Sequence, residues 1–334
     1  MTKYRIACLL LWAAVVCPAQ HKNYLRPVRQ ADRGMRGAIA AGSNYAADAG
    51  MRLYYQGGTA VDAAIAAMFA AMTTEFSHIG WGGEAPILIR TRDGVVHSIA
   101  GVGTMPKLAS AELYRTRRLE PFEVFEMDPG GLRGIIPVAG LMPALVPGSV
   151  DAGLLALKEF GTKSFAEVVQ PARELAEGMA IDEQRSGAIA ASRRFFDRWP
   201  SSRHVFLPEG RVPLPGEIFR QPDLARTLAA MVEAEKSARA SGATREAGIE
   251  AVRDYFYRGD IARKIDAFVK ANGGLLRYED MAAFHLSPEA PVSTTYRGYE
   301  VYKPGFWSQG PVMIKALNML ECIDLHSLGV NSVQ

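Results

Sequence analysis

Residues 59–74, Thr-Ala-Val-Asp-Ala-Ala-Ile-Ala-Ala-Met-Phe-Ala-Ala-Met-Thr-Thr, constrain the fold most. Val61, Ile65, Met68, Phe69 and Met72 recur at helical spacing, and alanines fill the other faces. A helix so poor in charge on every side has no face suited to water and should be buried. Gly57-Gly58 stands just before it and stops an earlier helix, capped by Ser43 or Asn44, that runs through Tyr55. Any fold for this chain has to cover the 59–74 helix with other elements.

Further along, Pro86 to Arg90 and Val95 to Ala100 read as two strands around the turn Arg92-Asp93-Gly94. Val146-Pro147-Gly148-Ser149-Val150 opens a helix ending near Gly161. Ser164-Phe165-Ala166-Glu167 is a capping box for the next helix, which ends around Gly178. Helices are expected at Asp182 to Trp199, Pro222 to Ala238 and Glu246 to Tyr257, and another through Ile261, Ile265, Phe268 and Val269 is closed by Asn272-Gly273. The prolines and glycines of Pro200 to Pro222 mark an irregular excursion. Strands at both ends with helices between are consistent with one fold closed by its termini. A composition that is 49% hydrophobic supplies a large core, in one extended domain or two lobes.

The first residues read as an address. Lys3 and Arg5 precede the apolar run Ile6 to Val16, which is too short to span a bilayer, and Cys17-Pro18-Ala19 suits cleavage after Ala19. Residues 1–19 are therefore expected to be a signal peptide and 20–36 an N-terminal arm, with export to a periplasmic or extracellular space. A lipoprotein reading at Cys17 is weakened by Val16, where a small residue is expected. Losing the leader removes Cys8 and Cys17, leaving Cys322 and no possible internal disulfide. Losing Lys3 and Arg5 lowers the formal charge from +3 by two, to +1. A nearly neutral chain argues against nucleic acid as partner. No later segment reaches the roughly twenty apolar residues of a membrane span. Arg29, Arg33 and Arg36 read as a solvated arm, and Arg115 to Arg118 and Arg193-Arg194 as solvated helix faces.

Several blocks carry a resemblance. Gly57-Gly58-Thr59-Ala60-Val61-Asp62-Ala63-Ala64 is similar to the G-G-N-A-V-D-A-A segment of γ-glutamyltransferases (γ-glutamyltranspeptidases, glutathione hydrolases). Val146 to Val150 matches that family's V-P-G-S-V turn, and Phe256 to Ala262 its F-Y-x-G-x-I-A block. Gly273-Gly274, Glu279 to Ala283, Tyr296 to Tyr299, Lys303 to Pro311 and Leu317 to Glu321 follow in family order and spacing. The resemblance covers about Gly37 to the last residue, so 37–334 is expected to be a large-subunit region. It implies an α+β fold, the αββα four-layer sandwich of N-terminal-nucleophile hydrolases, incomplete without a small subunit. It also implies a precursor that cleaves itself before a threonine at the start of that small subunit. The freed amine then serves as base for the threonine hydroxyl, which attacks a γ-glutamyl amide such as glutathione and passes the acyl group to water or an amine. No metal or organic cofactor takes part. No catalytic residue is assigned within this chain, and the partner expected is the threonine-bearing small subunit. The alternatives are a non-catalytic exported binding protein, an inactive remnant, or part of an acylase for other N-acyl compounds.

Ser77-His78-Ile79-Gly80-Trp81-Gly82-Gly83 stands at the family's glycine cluster, with Trp81 replacing a glycine and Glu84 an aromatic. A phosphate loop would need a strand before it and a helix after it, the reverse of what is expected here. The glycines read as a turn with φ > 0, which the resemblance places near the catalytic cleft. The resemblance further implies an arginine holding the substrate's α-carboxylate. Aligned on Pro106, Val102 occupies that place and Gly103 follows, with no basic residue before Lys107. A charged contact of that kind contributes about 1.5–3 kcal/mol, so efficient use of glutathione is not expected. Ser308 in the Trp-Ser-Gln-Gly-Pro loop lacks a histidine and acid at recognisable spacing and reads as a loop-shaping or capping serine. The histidines are isolated and offer no metal-ligand spacing. Asp182-Glu183 and Glu279-Asp280 read as first-turn helix residues rather than an acid–base pair.

Overall fold

The computed structural model describes residues 33–35, 37–117, 123, 137 and 139–329. The expected leader, most of the expected arm and Arg118 lie outside the described residues. Contacts divide the chain into two units, Met1–Ala38 and Ile39–Gln334, and the helices and strands of the described residues all belong to the second.

Helix α1 (Asn44–Tyr55) is capped by Ser43 and α2 (Ala60–Thr74) by Thr59, each side chain accepting from a backbone N–H three residues on. Helix α2 is the buried helix expected from its composition. Ala63, Ile65, Ala66, Phe69, Ala70 and Met72 are all withdrawn from solvent. Strands β1 (Ile87–Arg90) and β2 (Val96–Ile99) pair antiparallel, with Ile87 opposite Ile99 and Arg90 opposite Val96. A short helix α3 (Ala111–Thr116) follows, capped by Ser110. Helices α4 (Ser149–Phe160) and α5 (Phe165–Glu177) begin and end where the V-P-G-S-V turn, Gly161, the Ser164 capping box and Gly178 place them.

The next stretch corrects the sequence reading. In place of one helix over Asp182 to Trp199, the chain makes β3 (Met179–Ala180), then α6 (Glu183–Ala191), α7 (Arg193–Phe196) and α8 (Pro200–Phe206). Pro200 occupies the first turn of α8, where its missing N–H costs nothing, so the segment read as irregular begins with a helix. Strand β4 (Ile218–Phe219) then returns to pair with β3. Two-residue strands carry too little pattern to be read from sequence. Phe76, Phe196, Phe206 and Phe219 cluster with Met179, Ile181, Ile189 and Leu207 in a second, smaller core beneath this excursion.

Helices α9 (Pro222–Ala240), α10 (Arg245–Tyr257), α11 (Asp260–Ala271) and α12 (Tyr278–Ala283) complete the helical part. The chain closes with β5 (Val292–Tyr296), β6 (Tyr299–Lys303), α13 (Gly310–Leu320) and α14 (Leu325–Leu328). Among the described residues the strands form three two-stranded antiparallel pieces. Helix α2 packs on α1, α4 and α5, while α9 joins α5 to α10. An isolated bridge between Ser98 and Glu289 links the N-terminal hairpin to the segment leading into β5. The bridge sets residue 289 beside the N-terminal hairpin, while the two hairpins form separate sheets among the described residues.

Candidate functional site

The segment carrying Val102 and Gly103 sits between two turns that come from distant parts of the chain. On one side, Ala85 N–H donates to Gly101 O (2.9 Å); on the other, Val146 N–H donates to Thr104 O (3.1 Å). Gly101 has φ +60°, a conformation that L side chains rarely adopt. At Gly103 the reason for glycine is steric: a Cβ there would lie 1.6 Å from the Val146 carbonyl oxygen. Gly148 answers it from the opposite turn, where a Cβ would lie 2.4 Å from Gly101 O. Val102 is half-buried between these contacts. Gly103 is thus held in place by backbone packing.

The glycine cluster closes the same assembly. Gly83 O accepts from both Gly148 N–H and Ser149 N–H, each at 3.0 Å, so the first turn of α4 is satisfied by the loop. Ser149 Oγ donates to Gly80 O (3.1 Å). Trp81 turns its ring onto Phe69 (centroids 5.1 Å, 17° between planes) and donates from Nε1 to Thr73 Oγ1 (3.2 Å). Trp81 is therefore an anchor that clamps the loop onto α2. The expectation of φ > 0 in this cluster is corrected: Gly80, Gly82 and Gly83 all have ordinary negative or extended φ. A Cβ on Gly80 or Gly82 would meet open space, because both face a cleft of about 630 Å³. Phe76, Ser77, His78, Ile79, Glu84 and Pro86 line it too, with Ser77 Oγ 2.9 Å from His78 Nδ1. No lysine or arginine is among the residues lining the cleft.

Beneath the V-P-G-S-V turn lies a buried polar network that the sequence did not announce. Tyr257 OH donates to Pro147 O (2.6 Å) and accepts from Asp151 N–H (3.0 Å). Burial, reinforced by the nearby Asp151 carboxylate, raises the Tyr257 pKa far above its ordinary value, so the hydroxyl keeps its proton. Asp151 Oδ1 accepts from Arg253 Nε (2.7 Å) and Oδ2 from Leu286 N–H (2.8 Å), while Arg253 Nη2 donates to Phe284 O. Both members of the pair are almost wholly buried, at 3% and 2% side-chain exposure. The Glu279-Asp280 block arrives from the same side. Both acids are first-turn residues of α12, as expected, but Asp280 does more: Oδ1 accepts from Lys107 N–H (3.0 Å) and Oδ2 from Arg277 N–H (2.9 Å).

Asp62, within the G-G-x-A-V-D block, is another such hub. Its carboxylate accepts from Thr59 N–H and Oγ1, Thr162 N–H and Oγ1, and Lys163 N–H, at 2.7–3.0 Å. Burial alone would raise its pKa. The hydrogen bonds from Lys163, Thr59 and Thr162 outweigh burial and hold the carboxyl below the ordinary range. Glu235 likewise caps α5 from α9, accepting from Phe165 and Ala166 N–H at 2.8 Å each. Apart from the i,i+3 capping contacts of Asp62 with Thr59 and of Asp280 with Arg277, none of these pairings follows a sequence spacing. For the long-range pairings the signal in the sequence is that Asp62, Asp151 and Tyr257 stand within or beside motif blocks.

In the Trp-Ser-Gln-Gly-Pro loop, Ser308 Oγ donates to the Pro304 and Gly305 carbonyls and accepts from Gly310 N–H (3.0 Å), a loop-shaping serine. Trp307 Nε1 donates to Glu289 Oε1 (2.6 Å), which also accepts from Ser98 Oγ (3.2 Å). Among the described residues no group of three or more histidine, cysteine or acidic side chains could hold a metal.

Comparison with known proteins agrees with this geometry. A family model for gamma-glutamyltranspeptidase matches residues 46–334. The Acylase ACY 1 proenzyme of Pseudomonas sp. (strain SE83) is 32% identical over 301 residues, covering 90% of this chain and 50% of that protein. The glutathione hydrolase proenzyme of Escherichia coli (strain K12) is 28% identical over 329 residues, covering 98% and 52%. The chain spans about half the length of the curated relatives it matches. Among solved structures, the gamma-glutamyltranspeptidase of Helicobacter pylori superposes with a TM-score of 0.76 at 25% identity, over 91% of this chain and 80% of that one. The α+β arrangement is thus that of an N-terminal-nucleophile hydrolase. By its motifs, its fold and the family match across most of its length, the chain belongs to the gamma-glutamyltranspeptidase (glutathione hydrolase) family.

Proposed function

We propose that this chain is the large-subunit part of an exported acyl-transferring hydrolase whose threonine nucleophile is carried by a partner polypeptide. The observation behind this reading is the apolar face left at α13. Of that helix only Gly310 is buried, while Val312 and Met319 are 68% and 67% exposed and Phe306, just before it, is 86% exposed. Burying such side chains contributes roughly 1.5–3 kcal/mol each, and a patch of this kind on a lone chain favours association. The proenzyme relatives support a two-subunit protein made by processing of one precursor. The basic residues Lys3 and Arg5 ahead of the apolar run Ile6 to Val16 support export.

The reading of the acyl donor rests on the 101–107 segment. Val102 offers no charge to a substrate α-carboxylate, and the cleft beside the glycine loop is lined by no cation. This favours an N-acyl compound without a free carboxylate at that position over a γ-glutamyl amide. The similarity to an acylase proenzyme points the same way.

The test is to sequence and express the reading frame beyond the codon for Gln334. Self-cleavage ahead of a threonine, with hydrolysis of N-acyl amides, is the expected result. A stop codon with no threonine-bearing segment nearby would leave a binding protein or an inactive remnant. In the two-subunit protein, Val102→Arg should raise γ-glutamyl turnover about tenfold to a hundredfold. Unchanged kinetics would remove the assignment of Val102.

A further inference from the structure

We propose that Glu84 selects substrates carrying an ammonium group at the end that lies in the cleft beside the glycine loop, an inference that rests on the acyl-transfer reading of this site. Among the residues lining that cleft, Glu84 is the one carboxylate, and no lysine or arginine is there to neutralise it. The Glu84 side chain is exposed and makes no hydrogen bond or ion pair with any described residue. His78, on the same wall, has its Nδ1 against Ser77 Oγ at 2.9 Å. The cleft therefore holds one carboxylate with no counter-charge.

That carboxylate stands on a fixed base. Gly83 O accepts from Gly148 and Ser149 N–H, and Ala85 N–H donates to Gly101 O, so the backbone is tied on both sides of residue 84. Ala85 is buried, and a Cβ on Gly101 would lie 2.0 Å from its carbonyl oxygen. The backbone at Glu84 cannot shift without breaking contacts that also hold the segment beginning at Gly101. Gly80 and Gly82 leave open space on the cleft side of the loop, and Ile79 and Pro86 supply an apolar wall for the uncharged part of a ligand.

A cleft lined by one sign of charge concentrates ions of the other sign. Here the sign is negative, the reverse of what a substrate α-carboxylate requires, and Val102, next to Gly101, adds no cation. An ammonium brings three donors to a carboxylate, and charge-assisted hydrogen bonds of this type are the strong ones. A metal ion would need more ligands than Glu84 supplies, and among the described residues no group of three or more histidine, cysteine or acidic side chains could hold one.

The test is amide hydrogen exchange of the full chain with matched ligands at millimolar concentration. N-acetylcadaverine ends in an ammonium, N-pentylacetamide is neutral, and N-acetyl-6-aminohexanoate ends in a carboxylate. Protection of residues 76–86 should be greatest with the ammonium ligand and least with the carboxylate. The ammonium ligand should half-saturate at up to about fivefold lower concentration than the neutral one, the range of exposed charge pairs. At about 1 M salt, where the Debye length falls to about 3 Å, that preference should disappear. Glu84→Gln should equalise the ammonium and neutral ligands, and Glu84→Lys should favour the carboxylate. Glu84 is exposed and unpaired, so both variants should keep the parent's urea midpoint, and the order of the ligands on the unsubstituted chain is a test without them. No protection of 76–86 by N-acetylcadaverine, equal protection by all the ligands, or an ammonium preference that survives Glu84→Gln would overturn the proposal. Binding is read without a threonine nucleophile. A failure here therefore leaves the acyl-transfer reading in place, and the lack of a threonine-bearing segment would leave the binding preference in place.

Discussion

Removing one partner of the Asp151–Arg253 pair should be among the most damaging single changes in the chain. Arg253→Leu leaves the Asp151 carboxylate 2% exposed with only the Leu286 N–H as a remaining side-chain partner, and strips Phe284 O of its donor. Breaking a buried ion pair in this way costs about 3–5 kcal/mol, a large fraction of the roughly 5–15 kcal/mol that holds a domain together. Asp151→Leu should fall at the lower end of that range, because Arg253 then keeps Phe284 O and only the more distant Glu250 carboxylate, at 3.7 Å, to offset its buried charge. If the two effects were independent they would sum to about 6–10 kcal/mol. The double variant has no buried charge left and retains two unpaired backbone groups, Leu286 N–H and Phe284 O, at about 1–3 kcal/mol each. Together these cost about 2–6 kcal/mol, against about 6–10 for independent effects, so the coupling at the middle of the ranges is about 4 kcal/mol. Urea unfolding followed by tryptophan fluorescence measures all four species. Single variants within about 0.5 kcal/mol of the parent, as for ordinary surface sites, or strict additivity in the double, would refute the idea that this network anchors the V-P-G-S-V turn.

Asp62 has a folded-state pKa below its ordinary value. Its stabilisation is thus fully present above the unfolded carboxyl pKa of about 3.9 and is lost as pH falls through the folded value. The urea-midpoint gap between the parent and Asp62→Asn should be wide at neutral pH and narrow in acid; a gap independent of pH would contradict the assignment. Gly103→Ala places a methyl 1.6 Å from a backbone carbonyl and should cost at least about 1–3 kcal/mol. Gly80→Ala enters open space and should stay within about 0.5 kcal/mol. Equal unfolding midpoints for these two variants would show that the crowding at Gly103 is relieved by backbone movement.

Much of this protein is local and so can be read from its residues. Helix α2 is apolar on all sides and had to be buried; Ser43, Thr59 and Ser164 stand where helices start, and Gly57, Gly94 and Gly273 adopt positive φ at the turns their positions imply. The motif blocks carry the family, because their order and spacing survive whatever the chain does between them. The excursion from Met179 to Phe219 escapes such a reading because its strands are two residues long and its helices are broken by Pro200 and fixed by a small aromatic core. The roles of Asp62, Asp151, Tyr257, Arg253 and Glu235 are not legible either. Their long-range partners lie about 70 to 135 residues away, and a buried carboxylate has the same letter as a solvated one. Caps, turns and periodicity act within a few residues, so the chain by itself determines where the well-capped helices such as α1, α2 and α5 start. Which motif touches which was decided only when the backbone folded, because hydrogen bonding to a buried charge depends on distance in space and not along the chain.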